Sequence, residues 1–190
     1  MGLVPQPLDH ERLRQALDAL GADLAARGVF VELAISDGGA LILQFGWRRS
    51  TWDVDAVVRE GFDEAMLAPS VAHVAGEMGF DPDWLNDAVG MFTPLDEPEA
   101  LFEVSGTYPA EGAPGLRTLV ARPHYLLAMK LRALSSLDRG RRDMDDARAL
   151  AAHLGIVDPE GLRALYALIY DEAPAIEAQL RFPIVPDVSP

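Results

Sequence analysis

Residues 53–58, Asp-Val-Asp-Ala-Val-Val, constrain the fold of this chain more than any other segment. A β-branched run favours a strand. Side chains alternate between the two faces of a strand, so Asp53 and Asp55 point the same way. Two carboxylates on one side repel unless a positive charge lies between them. A hard divalent cation such as Mg²⁺ answers that need, because it takes a few carboxylates together with phosphate oxygens. The pair thus points to metal-assisted phosphoryl chemistry at the head of a strand. A solvated strand end is the alternative for the pair taken alone.

The bulk of the chain bounds what such a strand belongs to. With 190 residues, 49% of them hydrophobic, the chain can build one domain, or one domain with a small appendage. It has no cysteine, which excludes disulfides and thiolate metal sites and fits a cytoplasmic setting. No apolar run reaches the ~18–20 residues of a membrane span. The first residues, Met-Gly-Leu-Val-Pro-Gln-Pro, lack the basic and apolar regions of a signal peptide. A cytoplasmic protein with no membrane partner is expected. The formal net charge of −14 argues against broad attraction to nucleic acid. Arg132, Arg139, Arg141, Arg142 and Arg148 nevertheless form a local basic cluster.

Periodicity places the other elements. Leu13, Leu17, Leu20 and Leu24 mark a helix over 9–27, capped by Asp9 and ended by Gly28. Val29 to Ile35 reads as a strand, and residues 40–45 as a short helix after Gly38-Gly39. A helix is expected over 60–79 with a break at Pro69, then a helical turn around Trp84–Asp87. Residues 101–104 and 116–121 read as strands joined by a Gly- and Pro-rich loop over 105–115. Helices are expected over 125–137, 143–154 and 159–180, the last broken near Pro174, and the proline-rich tail is expected to be extended. The strands lie in the first two-thirds and the last third is helical. An α+β fold follows, with a mixed sheet and packed helices over 1–122 and a helical region over 123–190.

Several residues near the pair can carry chemistry. Gly38 and Gly39 let backbone approach a ligand, and their N–H groups can hold phosphate oxygens. Arg49 can reach a phosphate and Thr51 can support the strand. Glu103, in Leu-Phe-Glu-Val, is the candidate third carboxylate, with an exposed strand Glu as its alternative. Lys130 lies in a strongly apolar helix, where it must snorkel or meet an anion. Asp143 and Asp146 share one helix face. His10, His73, His124 and His153 are scattered without metal-ligand spacing.

Three blocks resemble a known family. The segment GGALILQFGWRRSTWDVDAVV is similar to the first motif of the nucleotidyltransferase superfamily, with its polymerase-β-like fold. DPDWLNDAV and ARPHYLLAMKLRAL…RRDMDDARALAAHLGI resemble later blocks of an uncharacterised bacterial nucleotidyltransferase-like group, related to AbiEii-type toxins and minimal nucleotidyltransferases. The resemblance covers roughly residues 30–156. It implies an Mg²⁺-dependent enzyme that moves a nucleotide from an NTP to a macromolecular hydroxyl, in a toxin–antitoxin or phage-defence setting. Asp53, Asp55 and Glu103 would hold the metal, and Gly38, Gly39, Arg49, Thr51 and Lys130 the nucleotide. Asp143 would partner Lys130, with helix capping as its alternative role. The acidic charge favours a protein acceptor or a small one over RNA. A competing reading is a catalytically degenerate module of the same fold that binds a protein partner, antitoxin-like.

Overall fold

A computed structural model of the chain describes residues 6–59, 64–88, 93, 98–134, 141–179, 182 and 183. Two compact units are formed, one by Met1–Gly90 with Phe102–Ala121, the other by Met91–Leu101 with Arg122–Pro190. The expected α+β architecture is present, with every strand of the sheet in the first unit.

In the first unit, α1 (His10–Ala26) leads into β1 (Val31–Ile35), α2 (Asp37–Gln44) and β2 (Val54–Val58). A short 3₁₀ turn, α3 (Ala68–Met78), β3 (Leu85–Asn86), β4 (Phe102–Tyr108) and β5 (Leu116–Ala121) complete it. The sheet order is β3-β2-β1-β5-β4. β1 runs antiparallel to β2 and parallel to β5, β2 is parallel to β3, and β4 is antiparallel to β5.

The register sorts side chains onto two faces. Ile35 lies opposite Ala56 on one side and Val120 on the other. That face carries the buried Val31, Leu33, Ile35, Val54, Leu116, Thr118 and Val120. α1 buries Leu13, Leu17, Leu20 and Leu24, each burial stabilising by about 1.5–3 kcal/mol. The Asp9 carboxylate caps this helix, accepting from the Arg12 N–H at 2.9 Å. Gly21 seats α1 against the β4–β5 hairpin, since a Cβ there would stand 2.5 Å from the Tyr108 carbonyl carbon.

Three local expectations change. The segment around Trp84 is not helical: Leu85 and Asn86 pair with Val54 and Asp55 as β3. Its entry turn is fixed by the Asp83 N–H donating to the Asp81 carboxylate at 3.0 Å. Buried Trp84 donates its indole N–H to the Val71 carbonyl and accepts the Val54 N–H through its own carbonyl, so it ties α3 to β2. Second, β4 continues to Tyr108, because cross-strand pairing with β5 overrides Gly106, and the misfit is absorbed by a register shift between Val104 and Gly106. Third, Pro69 opens α3 rather than breaking it, in the first turn where a missing N–H costs nothing.

The second unit contains α4 (Pro123–Ala133), α5 (Arg141–His153), α6 (Pro159–Tyr170) and α7 (Ile176–Gln179). α4 packs against α5 and α6. It is buried almost all round, which its apolar sequence demands. Asp158 caps α6, accepting from the Gly161 N–H at 2.8 Å, and α6 stops at Tyr170, with Asp171 left-handed at φ +52°. Arg139 and the extended tail expected beyond Pro183 lie outside the described residues. No helix among the described residues is long and apolar enough to cross a membrane.

Candidate functional site

The backbone of β1 leaves the sheet and enters α2 beside the Asp pair. The Ser36 N–H donates to the Asp55 carbonyl at 2.9 Å, extending the β1–β2 pairing by one residue. Asp55 therefore faces the N-terminal end of α2 across one strand spacing, roughly 5 Å. That end carries the positive pole of the helix. Asp37, the first residue of α2, has φ +47°, a left-handed value that Asp tolerates better than most residues. The position that demands left-handed backbone is thus Asp37, not one of the two glycines that follow.

Gly38 and Gly39 are both buried, and their missing side chains are filled by protein. A Cβ on Gly38 would lie 2.8 Å from Thr51 Oγ1, and one on Gly39 would lie 3.0 Å from Val54 Cγ1 and 3.1 Å from Ile35 Cγ2. The pair acts first as a packing device, letting α2 close onto the head of β2. Thr51 is buried there, and it exchanges backbone hydrogen bonds with Leu8 at 2.7 and 2.9 Å.

Asp55 is half-buried and lies opposite Asn86 in the β2–β3 register. Asp53 is exposed and precedes the first residue of β2. It lines a cleft of about 240 Å³ with Trp52, Phe80, Asp81, Asp83 and Asn86. Both carboxylates thus neighbour Asn86.

Glu103 does not join them. It lies opposite Val120, which lies opposite Ile35, which lies opposite Ala56. Glu103 therefore shares the face of Ala56, and Asp55, one residue away, takes the other face. β4 is also three strand positions from β2, about 14 Å along the sheet. Arg49 is likewise elsewhere: it lines a groove with Asp9, His10 and Glu11 of the α1 start and Leu43–Gly46 at the far end of α2. Arg48 is the arginine near Gly38, its Nη2 lying 3.4 Å from the Cβ that Gly38 lacks.

In the second unit Lys130, Asp143 and Asp146 form a buried charge cluster. Lys130 on α4 is 4% exposed, and its ammonium donates to Asp143 Oδ1 at 2.7 Å. Asp146 Oδ2 lies 3.5 Å from the same nitrogen. The pairing implied for Lys130 and Asp143 is therefore an ion pair inside the helical unit. The spacing of three that puts Asp143 and Asp146 on one face of α5 brings Asp146 to Lys130 as well, a pairing the resemblance implied only for Asp143.

No protein-family profile matches the chain, and no curated protein does. Among solved structures the chain is similar to an antigenic nucleotidyltransferase-like protein from Paracoccidioides brasiliensis, at 14% identity and a TM-score of 0.42. The match covers 94% of this chain and 96% of that one.

Proposed function

We propose that the protein is an Mg²⁺-dependent nucleotidyltransferase that moves a nucleotide from an NTP to a macromolecular hydroxyl. The observation that carries this reading is the 2.9 Å hydrogen bond from the Ser36 N–H to the Asp55 backbone carbonyl, which pairs the acidic strand residue with the residue that precedes α2. Carboxylates attract a divalent cation, and a helix N-terminus attracts phosphate oxygens. The two together suit a metal–triphosphate pair better than either suits a simple anion or a simple cation.

The donor set fits a magnesium ion. Two carboxylates, one exposed and one half-buried, leave coordination positions for substrate phosphate and water, as this ion prefers. When bound, such an ion would supply the positive charge that stabilises the phosphate oxygens and activates the phosphorus for attack. Asp53 and Asp55 would hold it. The first-turn amides of α2 would complement the phosphate charge, with Gly38 and Gly39 keeping α2 close enough to do so. In the transfer, the acceptor oxygen bonds to the α-phosphorus and the bond from that phosphorus to pyrophosphate breaks. The hydroxyl proton passes to Asp53 or to water. Lys130 would hold the Asp143 carboxylate in place rather than contact phosphate, because two carboxylates already surround its ammonium.

The net charge of −14 favours a protein acceptor over RNA. A toxin–antitoxin or phage-defence setting, in the cytoplasm and with a protein partner, remains the biological proposal. Incubation with an α-labelled NTP, Mg²⁺ and cell extract tests it. Label should move to a macromolecule with the wild-type chain and not with Asp55→Ala. Full labelling by Asp55→Ala sinks the proposal.

One observation favours a second reading. Glu103 sits on the opposite face from Asp55, so it does not supply at the pair the third carboxylate that the resemblance implied. A degenerate module that binds a protein partner without turnover would tolerate that loss. Binding of Mg²⁺ and NTP without any transfer, together with a stable protein complex, would favour it.

A further inference from the structure

The cleft of about 240 Å³ that Asp53 lines is walled by the indole of Trp52, which is 54% exposed. Backbone on both sides holds that ring in place. Thr51 exchanges hydrogen bonds with Leu8 at 2.7 and 2.9 Å, and the Val54 N–H donates to the Trp84 carbonyl at 2.7 Å. The other lining residues are equally set. Phe80 is buried, with the Arg12 guanidinium 5.1 Å from its ring centroid. Asn86 is engaged at both ends of its amide: Nδ2 donates to the Asp83 carbonyl at 3.1 Å, and Oδ1 accepts the Ala88 N–H at 2.9 Å. The Asp81 carboxylate accepts the Asp83 N–H at 3.0 Å. The Asp83 carboxylate differs. It is exposed, and among the described residues no hydrogen bond or ion pair engages it.

This lining selects a ligand. Among the described residues no lysine, arginine or histidine lines the cleft, whereas Asp53, Asp81 and Asp83 do. Phosphate is therefore repelled from it. The volume falls below the roughly 300–1,000 Å³ of pockets for drug-sized ligands, so one ring system fits better than a chain. A flat aromatic wall favours a flat π-system, and carboxylate oxygens accept from N–H groups. A nucleobase with an exocyclic amino group has both properties. Asp53 belongs to the cleft and to the acidic pair, so a base in the cleft keeps its phosphates at the pair.

We propose that this cleft holds the nucleobase of the NTP, with Trp52 stacked on the ring and Asp83 accepting from its amino group. The inference rests on the proposed NTP site at Asp53 and Asp55. It adds which bases that site takes: adenine, guanine and cytosine over uracil.

Calorimetric titration of the full chain with Mg²⁺ tests it, comparing inorganic tripolyphosphate with ATP, GTP, CTP and UTP. Tripolyphosphate reports the metal and phosphate site alone. The three amino-bearing NTPs should bind more tightly than tripolyphosphate and than UTP. Trp52→Ala should weaken them about fivefold or more, the scale of base–aromatic stacking, and leave tripolyphosphate within about twofold. Retained tripolyphosphate binding also shows that the variant is folded. Trp52→Phe should keep most of the affinity, and Asp83→Asn should remove the preference over UTP. NTP binding untouched by Trp52→Ala, while tripolyphosphate still binds, overturns the base assignment and leaves the nucleotidyltransferase reading standing. Equal losses of NTP and tripolyphosphate in Trp52→Ala overturn it as well, and so does UTP bound by the wild type as tightly as the others. No binding of tripolyphosphate or of any NTP overturns that reading and this inference with it.

Discussion

The Ser36 amide hydrogen bonds the Asp55 carbonyl at 2.9 Å, and this one contact joins the end of β1, the start of α2 and the acidic pair. It exists because α2 approaches β2 closely, which the two buried glycines permit. Gly39→Ala would push a methyl to 3.0 Å from Val54 Cγ1 and 3.1 Å from Ile35 Cγ2, and Gly38→Ala to 2.8 Å from Thr51 Oγ1. Each should destabilise by about 1–3 kcal/mol, the usual cost of overpacking. Urea unfolding measures it. Thr51→Ala in the Gly38→Ala background should recover part of the loss, giving a positive coupling in a double-mutant cycle. Additive effects would mean that the two side chains do not compete for the same space.

Lys130 lies within ion-pair distance of both Asp143 and Asp146 in the buried cluster of the helical unit. Lys130→Met removes the cation that both buried carboxylates face. We expect a loss of about 3–5 kcal/mol. Asp143→Asn should cost less, because Asp146 still faces the ammonium. Chemical denaturation of both variants checks the order, and a Lys130→Met variant as stable as the wild type would refute the electrostatic role given to the cluster.

How much of this was legible in the sequence depends on the element. Asp9 and the Leu13, Leu17, Leu20, Leu24 stripe locate α1 almost to the residue, because cap and periodicity are both local. The strand after Trp52 is equally plain from its β-branched run. Trp84-Leu-Asn misleads, because its strand character comes from pairing with Val54 and Asp55, a tertiary effect no local pattern carries. The face of Glu103 was hidden for a sharper reason. Its face is set by a chain of pairings through Val120 and Ile35, and a shift of one residue reverses every side chain. The glycine pair and Thr51 were both visible, but the contact between Gly38 and Thr51 was not, since it depends on how the chain returns after α2. The Lys130–Asp143 pairing came from resemblance, whereas Asp146 needed only helical spacing.

His124 gives a pH prediction. It sits in the first turn of α4, where burial, and then the Arg122 charge, hold its pKa below the ordinary 6.5. The unfolded chain therefore takes up this proton first as the pH falls. Stability contributed here is full above the unfolded pKa, declines as the pH drops below 6.5 toward the folded pKa, and is flat beyond it. His124→Gln should flatten that part of the melting-temperature curve between about pH 7 and pH 5. The wild-type and variant curves should converge on the acid side; a parallel offset across the whole range would contradict the assignment.

The central claim is that Asp53 and Asp55, at the N-terminal end of α2, form the metal–nucleotide site without Glu103. Calorimetric titration of an NTP in the presence of Mg²⁺ tests it most directly, on the wild type, Asp55→Asn and Glu103→Gln. The account predicts saturable, Mg²⁺-dependent binding that Asp55→Asn abolishes and Glu103→Gln leaves within about twofold, as expected of a distant surface residue. Binding lost in Glu103→Gln, or undiminished in Asp55→Asn, would contradict it.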